Sequence, residues 1–260
     1  AGWRQMCAEG AVVFGSVAHG AHAPYMQVPV ETLVTLPDEL SFETGAAIAC
    51  GTGTAYGALQ RLTLQGDETI AVFGQGPVGL SVTQLAHAMG ARVIGAASSA
   101  EKLAAVREHG ADEAVNYVDQ ELKDQVLELT NGQGADVCFD PVGGPLFDSA
   151  LSSLGWGGRF IHFGFVAGVP KVPANRLLVK HRSAMGSSLR YFQNRRPDLL
   201  ARSMAELADY FAAGTLRPII SHRLALEQGV EALRLLTERR AIGKVVVDVS
   251  PEQAPKQESN

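Results

Sequence analysis

Five short apolar runs recur at regular spacing along the chain: Thr69 to Phe73, Arg92 to Ala96, Glu113 to Asn116, Asp136 to Asp140 and Arg159 to Phe163. The intervals between the first four carry helical periodicity, as in Val78, Val82, Leu85 and Met89. Strands separated by helices can share a sheet only through crossover connections, which are right-handed, so this stretch is constrained to an α/β, doubly wound parallel sheet of the Rossmann kind.

The loop after the first run reads Gly74-Gln75-Gly76-Pro77-Val78-Gly79, a G-x-G-x-x-G between a predicted strand and a predicted helix. In such a turn the first glycine permits the sharp bend, the second lets the backbone approach a pyrophosphate, and the third lets the helix pack closely on the strand. The helix N-terminus adds amide donors and a partial positive charge. Gly74, Gly76, Pro77, Val78 and Gly79 are therefore the predicted phosphate cradle of a dinucleotide site. Where NAD is bound, an acidic residue is expected at the end of the second strand. Here that end is Ala97, within Gly95-Ala96-Ala97-Ser98-Ser99-Ala100-Glu101-Lys102. A carboxylate about 4 Å from a 2′-phosphate would cost about 4 kcal/mol at an effective dielectric near 20, and that penalty is absent. Ser98 and Ser99 offer hydroxyls and Lys102 a charge, so NADP(H) is expected over NAD(H). The competing role for Ser99 is to cap the next helix, with Lys102 solvated.

The flanks follow other patterns. Residues 24 to 36 suggest an edge strand and a short following strand. Ser41-Phe42-Glu43-Thr44 has the form of a helix cap, opening a helix through Cys50 and a second from Thr54 to Arg61. After Gly186 come a predicted helix from Pro197 to Ala213, a strand from Arg217 to Arg223, a helix from Glu227 to Glu238 and a strand from Gly243 to Asp248. The polar residues 251 to 260 are expected to form a disordered tail. The opening Ala1-Gly2-Trp3 has neither a cap nor a strand pattern leading in, and reads as the interior of a longer protein.

Composition excludes several function classes. The 260 residues are 46% apolar and 19% charged with net charge -5, and Lys and Arg form no dominant basic stripe. That argues against a nucleic-acid or anionic-membrane surface. Neither an apolar run of membrane-spanning length nor a signal peptide is visible, so a cytoplasmic location is expected. The three cysteines, Cys7, Cys50 and Cys138, are odd in number and far apart, which suits reduced thiols or metal ligands better than disulfides.

Ala49-Cys50-Gly51-Thr52-Gly53-Thr54-Ala55-Tyr56, Ala71 to Leu80, Phe139-Asp140-Pro141-Val142-Gly143-Gly144 and Gly243-Lys244-Val245-Val246-Val247 together resemble the medium-chain dehydrogenase/reductase superfamily, with its zinc-containing alcohol dehydrogenases and quinone oxidoreductases. The likeness runs over about residues 24 to 249. It implies the C-terminal part of a GroES-like β catalytic domain at 1–50, a Rossmann domain at 51–188 and a segment returning to the catalytic domain at 189–249. It also implies hydride transfer between NADP(H) and an alcohol, aldehyde or conjugated carbonyl. By resemblance Cys50 is the last of three catalytic zinc ligands and Cys7 belongs to a separate structural zinc loop, both sets incomplete here and complete in the full-length protein, so this fragment alone is expected to be inactive. Thr54 matches a position near the nicotinamide, and Tyr117 one beside the adenosine ribose. Val142, Gly164, Phe165 and Val166 match crevice loops, while Ser188 and Leu189 fall where the last Rossmann strand passes the nicotinamide. Lys244 is either near the pyrophosphate or a solvated strand residue. His19, His22, His162 and His181 read as core or loop histidines, and Cys138 as a buried apolar residue. The stretches Phe139 to Gly144, Ile161 to Gly168 and Val172 to Leu178 look closer to zinc-independent quinone oxidoreductases, which leaves quinones and enones as alternative substrates. A non-catalytic NADP(H) sensor or a scaffold is the reading outside the enzymes. A homodimer or homotetramer is expected from the resemblance.

Overall fold

The computed structural model describes residues 22–23, 34–238 and 240–249. Cys7, His19, residues 24 to 33 of the two strands expected over 24 to 36, and the tail at 251 to 260 lie outside the described residues, while residues 34 to 36 form no strand. The chain runs through α1 (Phe42–Ala47), a π-helical turn (Ile48–Thr52), α2 (Gly53–Leu62), β1 (Thr69–Phe73), α3 (Pro77–Ala88), β2 (Arg92–Ala97) and α4 (Ala100–Glu108). It continues with β3 (Glu113–Asn116), α5 (Leu122–Leu129), β4 (Ala135–Asp140), α6 (Leu146–Ser153), β5 (Leu154–His162), α7 (Ala174–Leu178) and β6 (Ser183–Gly186). The remainder is α8 (Leu189–Arg195), α9 (Pro197–Ala212), β7 (Ile220–Ala225), a 3-10 turn (Leu226–Gln228), α10 (Gly229–Thr237) and β8 (Lys244–Asp248).

Six strands form one parallel sheet in the order β3-β2-β1-β4-β5-β6, the doubly wound α/β arrangement expected from the alternation. Side chains of the central strands alternate between two cores because a strand's residues point to opposite faces. Ile70, Val72, Val137, Phe139 and Ile161 join one core with α2, α3 and α9, to which α9 contributes Met204, Leu207 and Phe211. Ala71, Phe73, Cys138 and Phe160 join the other with α5 and α6. A sheet covered on both faces explains why β1 and β4 read as continuous apolar runs. The chain reverses direction across the sheet between β1 and β4, and in open α/β sheets the crevice outside the strand ends at such a point takes the ligand.

Several elements depart from expectation. Ser41 caps α1 as anticipated, its Oγ accepting from the Thr44 N–H at 3.2 Å. The two helices expected on either side of residues 51–53 are instead one continuous path through the π turn. Gly53 lies directly under α9, since a Cβ there would lie 2.5 Å from Met204 Cε. β5 begins at Leu154, five residues before the expected Arg159, because Gly155 and Gly158 accept close backbone neighbours that hide the strand's apolar pattern. β6 ends at Gly186, so Ser188 and Leu189, expected on that strand, stand beyond it as the cap and first residue of α8. β7 starts at Ile220 rather than Arg217, because the Arg217 N–H and C=O are taken by the Gln84 amide at 2.9 and 3.1 Å and Pro218 has no N–H to offer a ladder. β7 and β8 pair in parallel as a separate two-stranded sheet.

Candidate functional site

The three glycines of the β1–α3 turn do three different jobs. Gly74 has φ +78°, a conformation that side chains resist, and a Cβ on it would lie 2.4 Å from Val142 Cγ2. A Cβ on Gly79 would lie 2.0 Å from the Gly74 carbonyl oxygen, so only glycine lets α3 start this close to the turn. Gly76 has nothing within 4 Å of its Cβ position. Two glycines are thus closed by packing while the middle one faces open space at the head of α3. That head has Pro77 in its first turn and no side-chain cap. The first amides of a helix have no partner within it, so the Val78 and Gly79 N–H groups stand as anion donors beside the open face of Gly76. Gln75, an unspecified position of the motif, is buried: its amide donates to the Val72 carbonyl at 3.0 Å and accepts from the Thr83 hydroxyl at 3.3 Å, pinning the turn from beneath.

Across the crevice, the loops after β4 and β5 form a joined lip. The Gly144 N–H donates to the Gly168 carbonyl at 3.0 Å, and the Ala167 N–H donates to the Val142 carbonyl at 2.9 Å. A Cβ on Gly164 would meet the Pro141 carbonyl oxygen at 2.7 Å. Val142, Gly164 and Phe165 are brought together here, whereas Val166 is 77% exposed at the surface. Asp140, wholly buried at the end of β4, accepts the Val142 and Gly143 N–H groups on one carboxylate oxygen at 2.8 and 2.9 Å. Its register partner on β5 is His162, whose ring lies nearly parallel to Phe160 and Phe165 at centroid distances of 6.5 and 6.3 Å. Burial pushes the Asp140 carboxyl above its ordinary range, against the pull of the two N–H groups and of His162. Burial also holds the imidazole below its ordinary value, with Asp140 pulling the other way. Asp140 lies inside a motif that the sequence singles out, and His162 reads there as a core or loop histidine. Only the register of β4 on β5 reveals that they face each other.

At the far end of the crevice β2 stops at Ala97 with no acidic residue. Ser98, Ser99, Lys102 and Tyr117 are all partly buried around it, and the Tyr117 N–H reaches the Ala97 carbonyl at 3.3 Å. Ser99 caps α4, its Oγ accepting from the Lys102 N–H at 3.4 Å.

The π turn and α2 form the remaining wall. Thr54 is 5% exposed in the first turn of α2, and Cys50 is exposed on the π turn. Among the described residues no group of three His, Cys, Asp or Glu side chains is placed to hold a metal ion, so the described residues by themselves do not make a zinc site. Lys244 reaches from β8 to this wall, its Nζ 3.0 Å from the Cβ position of Gly51. The Pro77 carbonyl is 4.0 Å from that same position, which sets the ammonium near the head of α3. Cys138 is fully buried in β4 and burial pushes its thiol up to about 12. No helix among the described residues is long and apolar enough to cross a membrane.

The same frame is found in known proteins. The zinc-binding dehydrogenase family profile matches residues 77–206. The chain is 39% identical over 234 residues to a quinone oxidoreductase-like protein 2 homolog of Nematostella vectensis, covering 88% of this chain and 64% of the relative. It is 32% identical over 241 residues to a quinone oxidoreductase of Pseudomonas aeruginosa, covering 91% and 74%. A mycobacterial protein solved in complex with NADPH superposes with TM-score 0.82 at 30% identity, covering 88% of this chain and 71% of that one. The chain therefore spans about two thirds of the length of the relatives it matches, and 64% of the Nematostella protein. With a doubly wound sheet, a glycine turn at its switch point and this degree of identity, the chain belongs to the zinc-binding dehydrogenases of the medium-chain dehydrogenase/reductase superfamily.

Proposed function

We propose that this chain is the dinucleotide-binding portion of an NADP(H)-dependent oxidoreductase that exchanges a hydride with a small conjugated carbonyl or quinone. The observation that carries it is the open side of Gly76 over the uncapped head of α3, between two glycine positions that packing has closed. A pyrophosphate fits that cradle, held by the Val78 and Gly79 amides with the Lys244 ammonium close by. Absence of an acid at Ala97 leaves room for a 2′-phosphate beside Ser98, Ser99 and Lys102, which supports NADP(H) over NAD(H). The NADPH bound in the mycobacterial neighbour and the quinone oxidoreductase names of the relatives support the same cofactor and substrate class.

Bound nicotinamide supplies the hydride at its C4. The chain's own part is to hold and orient. The turn at Gly74–Gly79 anchors the phosphates, and the lip of Pro141–Gly144 and Gly164–Gly168 lies across the crevice from it. Thr54, buried in the first turn of α2, supports the wall beside the crevice, and the lip, once closed on the dinucleotide, keeps water from the reacting carbons.

The test is made on the full-length protein, with NADPH and NADH compared against a quinone, an enone and an aldehyde. Quinone or enone turnover with a specificity constant favouring NADPH supports the proposal. A tenfold or greater preference for NADH defeats the cofactor assignment, and cofactor binding without turnover of any of the three moves the protein to a sensor. The exposed Cys50 favours one second reading, a zinc-assisted alcohol or aldehyde enzyme whose other ligands come from outside the described residues. Stoichiometric zinc together with aldehyde turnover selects it.

A further inference from the structure

At the carboxyl ends of β4 and β5, polar atoms lie buried with no hydrogen-bond partner: Asp140 Oδ2, His162 Nδ1 and His162 Nε2. Folded proteins rarely leave such atoms unmatched, and an apolar ring would fill the place without that cost. The surroundings already suit one, since the His162 ring lies nearly parallel to both Phe160 and Phe165. An imidazole is therefore the less favourable choice for packing alone, and its nitrogens call for another use. Nδ1 faces Asp140 Oδ2 across 3.8 Å, longer than a hydrogen bond by about 1 Å.

What this gap touches matters. The other oxygen of Asp140 holds the Val142 and Gly143 N–H groups, and His162 Cε1 lies 3.2 Å from the Cβ position of Gly143. Val142 Cγ2 in turn occupies the space above Gly74, the first residue of the phosphate turn. The Gly164–Gly168 loop is tied to the Pro141–Gly144 loop, not to the glycine turn itself, by the two backbone bonds of the lip. A contiguous path thus runs from the imidazole through the carboxylate to Val142 and on to the glycine turn.

We propose that Asp140 and His162 are a positioning pair for the cofactor: the imidazole Nδ1–H closes on Asp140 Oδ2 when the dinucleotide binds, locking both lip loops against it. The pair touches neither cofactor nor substrate. It acts through Val142 and Phe165. This role rests on the proposed NADP(H) site.

The test measures NADPH dissociation constants and melting temperatures of this chain in four forms: wild type, H162F, H162N and H162Q. Asparagine places an N–H near the Nδ1 position and glutamine one near the Nε2 position. H162F and H162Q are expected to bind NADPH about tenfold more weakly, about 1.4 kcal/mol, with the melting temperature of H162F unchanged or raised. H162N is expected to stay within about threefold of wild type, as replacement of a single donor in place allows. If H162F does not fold, H162Q carries the comparison. Tight binding by H162F or H162Q, or an H162N as weak as they are, overturns the inference and leaves the cofactor assignment standing. A wild-type chain that does not bind NADPH removes the assignment and the inference together.

Discussion

Replacing Gly76 with alanine separates binding from folding more cleanly than any other change in the site. Its backbone (φ -84°, ψ -169°) is open to alanine, and the new methyl meets nothing within 4 Å. Alanine caps a helix less well than glycine, by up to about 1 kcal/mol, but it reduces the freedom of the unfolded chain by about 0.4–1 kcal/mol, so stability should barely change. In the proposed site the methyl stands where the phosphates would approach the Val78 and Gly79 amides. Loss of one charge-assisted hydrogen bond there is worth about 1.5–3 kcal/mol, or tenfold and more in affinity. The assay is thermal unfolding with and without NADPH. At about 100 times the dissociation constant the wild type gains about 2.7 kcal/mol, a rise of roughly 5–10 °C for a domain of this size. At the same NADPH concentration a tenfold weaker G76A gains about 1.4 kcal/mol, about half that rise. Gly79→Ala is the opposite case: its Cβ would lie 2.0 Å from the Gly74 carbonyl oxygen, and overpacking of this kind costs about 1–3 kcal/mol without any ligand. A G76A protein that keeps the full NADPH shift, or a G79A protein as stable as wild type, would refute the assignment of roles within the turn.

Lys244→Met should weaken NADPH binding severalfold at low salt and much less at high salt, since an ammonium near the phosphates acts mainly through charge; titrations at two ionic strengths check this. Glu68 and Arg159 form a paired fork at 2.8 and 2.6 Å beneath β1 and β5, so Glu68→Gln should cost about 1–3 kcal/mol at neutral pH by urea denaturation. Burial pulls the Glu68 carboxyl upward but Arg159 and the Gln65 N–H more than offset it, leaving it below the ordinary value. The advantage of wild type over that variant is accordingly full above the unfolded carboxylate range and disappears as pH falls through the folded value. Cys138, with its thiol pushed up to about 12, should resist alkylation in the folded protein while the exposed Cys50 reacts, as mass spectrometry of quenched samples will show. Because the unfolded thiol ionises from about 8.5, wild type should lose stability as pH rises from there toward 12, and Cys138→Ala should lose less.

The linear order of residues determined the sheet. Apolar runs at β1 to β4, helical spacing between them and glycines at fixed offsets are local patterns, and strand pairing through right-handed crossovers leaves little choice once they are present. The glycine turn at the head of α3 and the absence of an acid at Ala97 were legible for the same reason, since each depends on neighbours within a few positions. The glycine-rich start of β5, the short β6 and the π turn were not legible, because such backbone paths depend on approach to distant segments, as where Gly155 lies against the Gln133 carbonyl. Tertiary structure alone decided which polar residues meet. Asp140 and His162 are 22 positions apart in the chain and face each other only through the register of two parallel strands. Lys244 reaches Gly51 because β8 passes near the π turn, a contact that no spacing in the sequence encodes. Side-chain periodicity records which face a residue turns toward, while the partner it finds there depends on how whole elements stack.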